Sequence, residues 1–200
     1  MPSDLQITNI RDQANANSAI TIASDGQITV NQNNPTVTLG SNATFPAGHV
    51  LQVVSTEDNS MAGYSNLQHS SFQDLISLAI TPSATSSKIL LHVSIAGGVN
   101  AYGVSYRILQ NGSTVADHLG SSTSRTAITF GLVPYASNDD EVATASYIGL
   151  FSPSSESAVT YKIQGAGRAS DWSYNRGEDA TNTSDRANAV STLTLMEIKG

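Results

Sequence analysis

Residues 103–119 read GVSYRILQNGSTVADHL, and this stretch decides the fold class. Asn111-Gly112 stands between the apolar pair Ile108-Leu109 and a second short run around Val115. Because Asn-Gly readily adopts the left-handed backbone of a two-residue hairpin turn, this order predicts two antiparallel strands joined by a tight turn. The stretch therefore favours an all-β protein.

Short strand-like runs separated by turn residues recur along the chain from residue 49 onward. We predict strands at 49–56, 74–81, 88–95, 103–110, 113–119, 127–133, 145–151, 159–165 and 190–198. No segment has the apolar spacing of an amphipathic helix, so the crossover helices of a parallel α/β fold are missing. The pattern predicts an antiparallel β-sandwich that resembles a jelly roll.

The first forty residues differ from the rest, since they contain short β pieces and no aromatic side chain. In AITIASDGQITV (19–30), the turn pair Asp25-Gly26 separates two runs whose apolar residues share one face, namely Ile20, Ile22, Ile28 and Val30. A hairpin alone is marginally stable, so it must lie on a larger domain or on the same segment of neighbouring subunits. We predict an N-terminal β arm over residues 1–45 and a sandwich over residues 46–200.

Composition excludes several classes of function. Only 12% of the 200 residues are charged, whereas Ser, Thr and Asn together make up almost a third of the chain. The net charge of −7 and the nine scattered basic residues argue against nucleic acid as a partner. The absence of cysteine excludes disulfides and thiolate metal sites. Neither a secretion signal nor a run of about 20 apolar residues is present, so we expect no membrane insertion.

The last predicted strand, 190–198, carries apolar residues on both faces. Val190, Thr192, Thr194, Met196 and Ile198 point one way, and Ser191, Leu193, Leu195 and Glu197 point the other way. Either a neighbouring subunit covers the outer face, or the strand is buried centrally within one chain. Scarce Lys and Glu also leave sheet edges without the charges that prevent pairing between chains, which favours an oligomer.

Motifs of catalysis are missing, and we expect no enzyme activity, cofactor or metal. The four histidines are scattered, and no nucleophile elbow, phosphate-binding loop or calcium-loop spacing is present. The acidic runs Asp139-Asp140-Glu141 and Glu178-Asp179 are interpreted as solvated loops. An ion on a symmetry axis, held by one carboxylate from each subunit, needs no motif and stays open.

One predicted loop, residues 168–179, gathers the chain's single tryptophan with other residue types that are frequent at binding hot spots. The candidate recognition residues are Asp171, Trp172, Tyr174, Asn175 and Arg176. Aromatic faces with neighbouring polar groups also suit a sugar. In the competing interpretation, Trp172 and Tyr174 fill one end of the sandwich, and Arg176 pairs with Glu178 or Asp179.

Several phrases resemble the C-terminal β domains of fibre-like and decoration structural proteins of tailed bacteriophages, especially those of marine or cyanobacterial hosts. These phrases are SATSSKILLHVSIAGG (83–98), YRILQNGSTVA (106–116), YKIQGAGR (161–168) and STLTLMEIKG (191–200). The segment ITNIRDQANANSAITIASDGQITV (7–30) looks like one that recurs along the shafts of such proteins.

The resemblance implies a virion structural protein, assembled in the host cytoplasm as a homotrimer. Residues 1–45 would dock on other virion proteins, and a distal jelly-roll-like knob would be displayed for attachment to a host surface glycan. Because only one copy of the shaft-like segment is present, a short tail fibre, a head fibre or a capsid decoration protein fits best. The alternative is a free-standing carbohydrate-binding β-sandwich module that uses the Trp172 loop.

Overall fold

A computed structural model describes residues 45–67, 70–99, 102–121, 124–132, 141–167, 170–177 and 187–200, together with the backbone of three short strands in the first 44 residues. Its strands form antiparallel sheets, and its one helical element is the 3₁₀ helix Ala116–His118. The all-β, antiparallel prediction is confirmed. Among the described residues, no helix is long and apolar enough to cross a membrane. The chain divides into two compact units, residues 1–44 and 45–200.

The smaller unit, residues 1–44, contains a three-stranded sheet. Its strands are β1 (Asn9–Arg11), β2 (Ser18–Ile22) and β3 (Ile28–Val30), and β2 lies between the other two. The β2 and β3 strands pair antiparallel with Ile20 opposite Val30 and Ile22 opposite Ile28. The antiparallel pairing of these two runs, which the hairpin signal predicted, is confirmed. The turn at Asp25-Gly26 lies outside the described residues.

The larger unit, residues 45–200, contains the remaining strands. In chain order they are β4 (Val50–Asp58), β5 (Ala62–Leu67), β6 (Gln73–Ile80), β7 (Lys88–Gly97), β8 (Val104–Gln110), β9 (Ser113–Thr114), β10 (Phe130–Leu132), β11 (Ala143–Phe151), β12 (Val159–Gly167), β13 (Ser170–Tyr174) and β14 (Ser191–Ile198). One sheet has the order β11-β7-β14-β4 and is called the β14 sheet below. A second has the order β10-β8-β12-β6, with β9 paired to β8, and is called the β12 sheet. The strands β13 and β5 form a two-stranded ribbon.

The β14 and β12 sheets share one hydrophobic core. Along β7 and β14, alternate side chains are fully buried, as the two-residue period of a strand requires. The β12 sheet contributes its own alternate residues to the same cluster. The fully buried members of the core include Ile89, Leu91, Val93, Ile95, Tyr106, Ile108, Tyr161, Ile163, Leu193 and Leu195.

The predicted hairpin at Asn111-Gly112 is confirmed. Both residues have positive φ, 50° and 82°, as a two-residue hairpin turn with left-handed backbone requires. The partner strand predicted over 113–119 is largely wrong, however, because only Ser113–Thr114 pairs with β8. The chain then turns into the helix Ala116–His118, and the strand predicted at 127–133 is shortened to Phe130–Leu132.

Candidate recognition site

Four of the five candidate recognition residues do not lie in an exposed loop. The segment Ser170–Tyr174 is a strand, β13, which pairs antiparallel with β5, so the loop prediction is wrong for this part of the segment. Neither strand was predicted, because β5 and β13 are only six and five residues long and are rich in small or polar residues. The Trp172 backbone also forms an isolated bridge to Val99, just beyond the end of β7. Two neighbours therefore hold this backbone.

Trp172 is 1% exposed and belongs to the hydrophobic core. Its ring stacks on Tyr64 of β5, with the ring centroids 4.2 Å apart and the planes inclined by 24°. The ring also lies over Gly165 of β12, where an added Cβ would stand 3.0 Å from Trp172 Cη2. The indole Nε1 has no hydrogen-bond partner within the part of the chain that the structure describes. This indole contributes apolar packing, and its polar edge is not presented at the surface.

Tyr174 is also buried, and its hydroxyl reaches a carboxylate. The Tyr174 hydroxyl donates to Asp58 Oδ2 at 3.2 Å, and the Ser60 backbone N–H donates to Asp58 Oδ1 at 2.8 Å. Burial raises the pKa of Asp58, but these hydrogen bonds outweigh it and leave the pKa below its usual value. Burial likewise raises the pKa of Tyr174, so its hydroxyl stays protonated at neutral pH.

Asn175 is fully buried, and its side chain ties three segments together. Its Nδ2 donates to the carbonyl oxygens of Asp58 and Ser60 at 2.7 and 2.9 Å, while its Oδ1 accepts from the Ser191 hydroxyl at 2.6 Å. The Ser191 hydroxyl in turn accepts from the Ala96 backbone N–H. Asn175 has a φ of 60°, a left-handed conformation that asparagine tolerates better than most residues. Both the amide nitrogen and the amide oxygen of Asn175 therefore form hydrogen bonds within the protein, and these bonds join the end of β4 and the start of β14 to the segment after β13.

The two charged candidates, Asp171 and Arg176, are partly exposed. The Arg176 guanidinium lies against Gly63, and its Nη1 donates to the Gly177 carbonyl at 3.0 Å. The Arg176 carbonyl accepts from the Ser173 hydroxyl at 2.6 Å. The acids proposed as its partners, Glu178 and Asp179, lie outside the described residues.

The burial of Trp172 and Tyr174 agrees with the interpretation in which they fill one end of the two-sheet core. A ligand could reach either ring only if the β13-β5 ribbon moved. That these residues recognise a ligand stays a prediction, and the side chains that a ligand can meet without rearrangement are Asp171 and Arg176.

Sequence reasoning missed Tyr102, an aromatic residue that is exposed close to this end. Tyr102 is 69% exposed and has a φ of 64°. It follows Val99, the residue that forms the bridge to Trp172, by three positions. An aromatic residue in left-handed backbone is uncommon and marks a position where local strain is retained. The neighbouring Gly103, also at positive φ, was the available signal.

The described histidines show no site for a metal. His118 stacks on Phe151 with centroids 3.8 Å apart and shares a 2.7 Å hydrogen bond with the Tyr147 hydroxyl. His92 lies within β7, and its side chain is exposed on the outward side of that strand. Within the described ranges, no three His, Asp or Glu side chains lie close enough together to hold an ion. Asp139 and Asp140 fall outside those ranges.

Comparison with known proteins assigns no family. No protein-family model matches this sequence, and no curated protein matches it.

Proposed function

We propose that this chain is a structural protein of a tailed-bacteriophage virion, a short tail fibre, a head fibre or a capsid decoration protein. The observation that carries the proposal is the division of the chain into a small unit of short strands, residues 1–44, and a larger two-sheet unit. Short strands that cannot bury a core alone are suited to docking on a partner surface. The larger unit is then the part that the particle displays.

The finer fold that we propose for the larger unit is a jelly-roll sandwich. Its two four-strand orders, β11-β7-β14-β4 and β10-β8-β12-β6, support this proposal. If the short strands β5, β9 and β13 are set aside, one sheet holds, from edge to edge, the sixth, third, eighth and first strands, and the other holds the fifth, fourth, seventh and second. That alternation between sheets is the order of a jelly roll with two Greek keys.

A homotrimer is the assembly that we propose, because the resemblance to phage fibre proteins implies one. Sedimentation of the purified chain measures this directly. A mass three times the 20.9 kDa of one chain is expected at micromolar concentration. A stable monomer at that concentration would count against the trimer.

Deletion of residues 1–44 tests the proposed docking role. We expect particles assembled with the shortened chain to lack it, because the docking strands are gone, while particles assembled with the full chain retain it. Incorporation is measured by immunoblotting of purified particles. A matched control is the full chain with Ser77→Ala, an exposed residue of the larger unit, which should be incorporated normally. Normal incorporation of the shortened chain would refute the docking role.

The second candidate is a carbohydrate-binding module, and the exposed Tyr102 is the observation that favours it. Aromatic faces pack against the apolar faces of sugars, and Asp171 is a partly exposed residue of the β13-β5 ribbon. If this hypothesis is correct, Tyr102→Ala should abolish glycan binding in an array, and Tyr102→Phe should retain it. Unchanged binding by Tyr102→Ala would exclude Tyr102 as the contact.

A further inference from the structure

The outer face of the β14 sheet is apolar in one continuous row across all four strands. Met196 lies opposite Val53 on one side and opposite Leu90 on the other, and Leu90 lies opposite Leu150. These side chains point outward, because their strand neighbours Leu195 and Leu91 are fully buried. Val53 and Leu150 are 55% and 52% exposed.

The next row of the same face adds one exposed apolar side chain to three polar ones. Ile148 of β11 is 61% exposed and lies opposite His92, which in turn lies opposite Thr194. Ser55 completes this row, and its hydroxyl lies 2.9 Å from the Thr194 hydroxyl. Hydroxyl pairs of this kind satisfy each other within the sheet. Covering the row therefore leaves few polar groups that need a new partner.

The outer face of the β12 sheet has the opposite character. There Lys162 Nζ contacts Asp74 Oδ2 at 2.6 Å, and Gln164 Nε2 donates to Asp74 Oδ1 at 2.6 Å. The Lys162 and Gln164 donors hold the pKa of Asp74 below its usual value. Arg107 also donates to Gln164 and lies over the Phe72 ring. Such a network is typical of a solvated face, so the two outer faces of the unit differ in chemistry.

The whole outer face of the β14 sheet, with its polar rows included, is large enough for a small interface between proteins. Four strands about 4.8 Å apart and nine residues long at about 3.3 Å per residue span roughly 570 Å². When this face packs on an equal area of a neighbouring copy, about 1,100 Å² is removed from water, just above the roughly 1,000 Å² expected of a biological interface. An interface of this size is at the low end of the range, so association that depends on concentration is expected.

Charge favours another copy of this chain as the occupant. Lys88 and Glu57 stand at opposite ends of the face and balance each other, whereas the whole chain carries a net charge of −7. Two copies therefore meet with least repulsion through this face. No aromatic residue is among its outward side chains, which disfavours a glycan, and one lysine is too few for a phosphate-rich surface.

We infer that the outer face of the β14 sheet, centred on Val53, Leu90, Leu150 and Met196, is the surface on which a second copy of this chain docks. This inference rests on the proposed structural role and deepens it by naming the self-association surface. It also accounts for a final strand that is apolar on both sides, since the inward side packs in the core and the outward side packs on the neighbour.

Charged substitutions on this face test the inference in the full chain. Ile148→Glu with Leu150→Glu adds two carboxylates to exposed positions of β11, and we expect the dissociation constant of the oligomer to rise by about 100-fold or more. The matched control is Ser77→Glu with Ala79→Glu, two exposed positions on the outward side of β6. Sedimentation velocity from 1 to 100 µM measures the assembly state, and circular dichroism measures folding.

Three outcomes decide the matter. Dissociation of the Ile148→Glu, Leu150→Glu variant with an intact control supports the inference. An oligomer that persists in that variant, or a wild-type chain that is monomeric at 100 µM, overturns it. If the variant does not fold, Val53→Glu on the opposite edge strand gives the same test. Particle incorporation is measured separately, so a chain that is incorporated but does not use this face would refute the inference alone.

Discussion

At the scale of single residues, the most informative side chain is Glu197, a carboxylate that is 1% exposed at the end of β14. Its Oε1 accepts from the Ser83 backbone N–H, the Ser83 hydroxyl and the Ser87 hydroxyl at 2.6 to 2.7 Å, and its Oε2 accepts from Gln52 Nε2 at 2.7 Å. A buried charge is tolerated only when its oxygen atoms are paired in this way. Glu197 therefore fastens the connection between β6 and β7 to the last strand.

We predict that Glu197 makes stability dependent on acid pH. Burial raises the pKa of Glu197, but the four donors outweigh it and leave the pKa below its usual value of 4.5. The stabilisation is therefore complete above the unfolded-state pKa and is lost as the pH falls through the folded-state pKa. Glu197→Gln should lower the free energy of unfolding by about 2 kcal/mol at pH 7, and by less at pH 3. Urea denaturation at a fixed protein concentration measures both values.

A matched control for Glu197 is Glu156→Gln in the exposed connection before β12, which should change the free energy of unfolding by less than about 0.5 kcal/mol at either pH. A loss of stability in Glu197→Gln that is equally large at pH 3 and pH 7 would contradict the role of its charge.

Trp172 gives a second prediction at this scale. Trp172→Ala removes the ring that fills the space between Tyr64 and Gly165, and should lower the free energy of unfolding by about 3 to 5 kcal/mol. Because the indole Nε1 has no partner among the described residues, Trp172→Phe keeps the stacking and should cost much less. Thermal denaturation followed by circular dichroism compares the two. Equal losses would mean that the Nε1 group, and not the ring volume, is what matters.

At the scale of elements, β13 depends on its close approach to β7. An added Cβ on Gly97, the last residue of β7, would collide with the Ser173 carbonyl oxygen. Gly97→Ala should therefore destabilise the protein by about 1 to 3 kcal/mol, because the ribbon must shift away from the sheet. Gly120→Ala is the control, since its Cβ would meet only the Ile128 carbonyl oxygen at an ordinary 3.7 Å. Comparable thermal stability of the two variants would argue against the close approach.

The sequence predicted the long strands well and the short ones poorly, for a physical reason. The two-residue period in 190–198 separated the buried Leu193 and Leu195 from the outward Met196, and the structure confirms that separation. A strand that pairs mainly through backbone groups leaves no such pattern. The segments of β5 and β13 lie more than a hundred residues apart, and only their pairing brings Tyr64 and Trp172 together.

The recognition residues illustrate the same limit. Trp, Tyr and Arg in one segment favour a binding surface only if they are exposed. The exposure of Trp172 and Tyr174 depends on long-range packing, which local composition does not encode. The Asn175 side chain forms hydrogen bonds with Asp58 and Ser191, which are not its neighbours in sequence. By contrast, the sequence of β14 alone predicted that its outward side is partly apolar, because the alternation of residues within one strand does not depend on distant partners.

At the scale of the whole molecule, the two units should differ in their ability to fold alone. Every member of the described hydrophobic core comes from residues 45–200, whereas the sheet of residues 1–44 consists of strands three to five residues long. Such short strands do not bury enough surface to be stable by themselves. The larger unit carries a core of its own, and the proposed docking role implies that the smaller unit needs another surface for stability.

We therefore predict that a fragment of residues 45–200 keeps a cooperative thermal transition within a few degrees of that of the full chain. A fragment of residues 59–200, which also lacks β4, should lose the transition, because Val54 packs on the core and the β14 sheet would lose its edge strand. A fragment of residues 1–44 should show the circular dichroism of an unfolded chain. Scanning calorimetry and circular dichroism at equal protein concentration measure all three. If the 45–200 fragment unfolded at a much lower temperature than the full chain, the first 44 residues would be contributing to the core of the larger unit, and their proposed role as a separate docking segment would have to be abandoned.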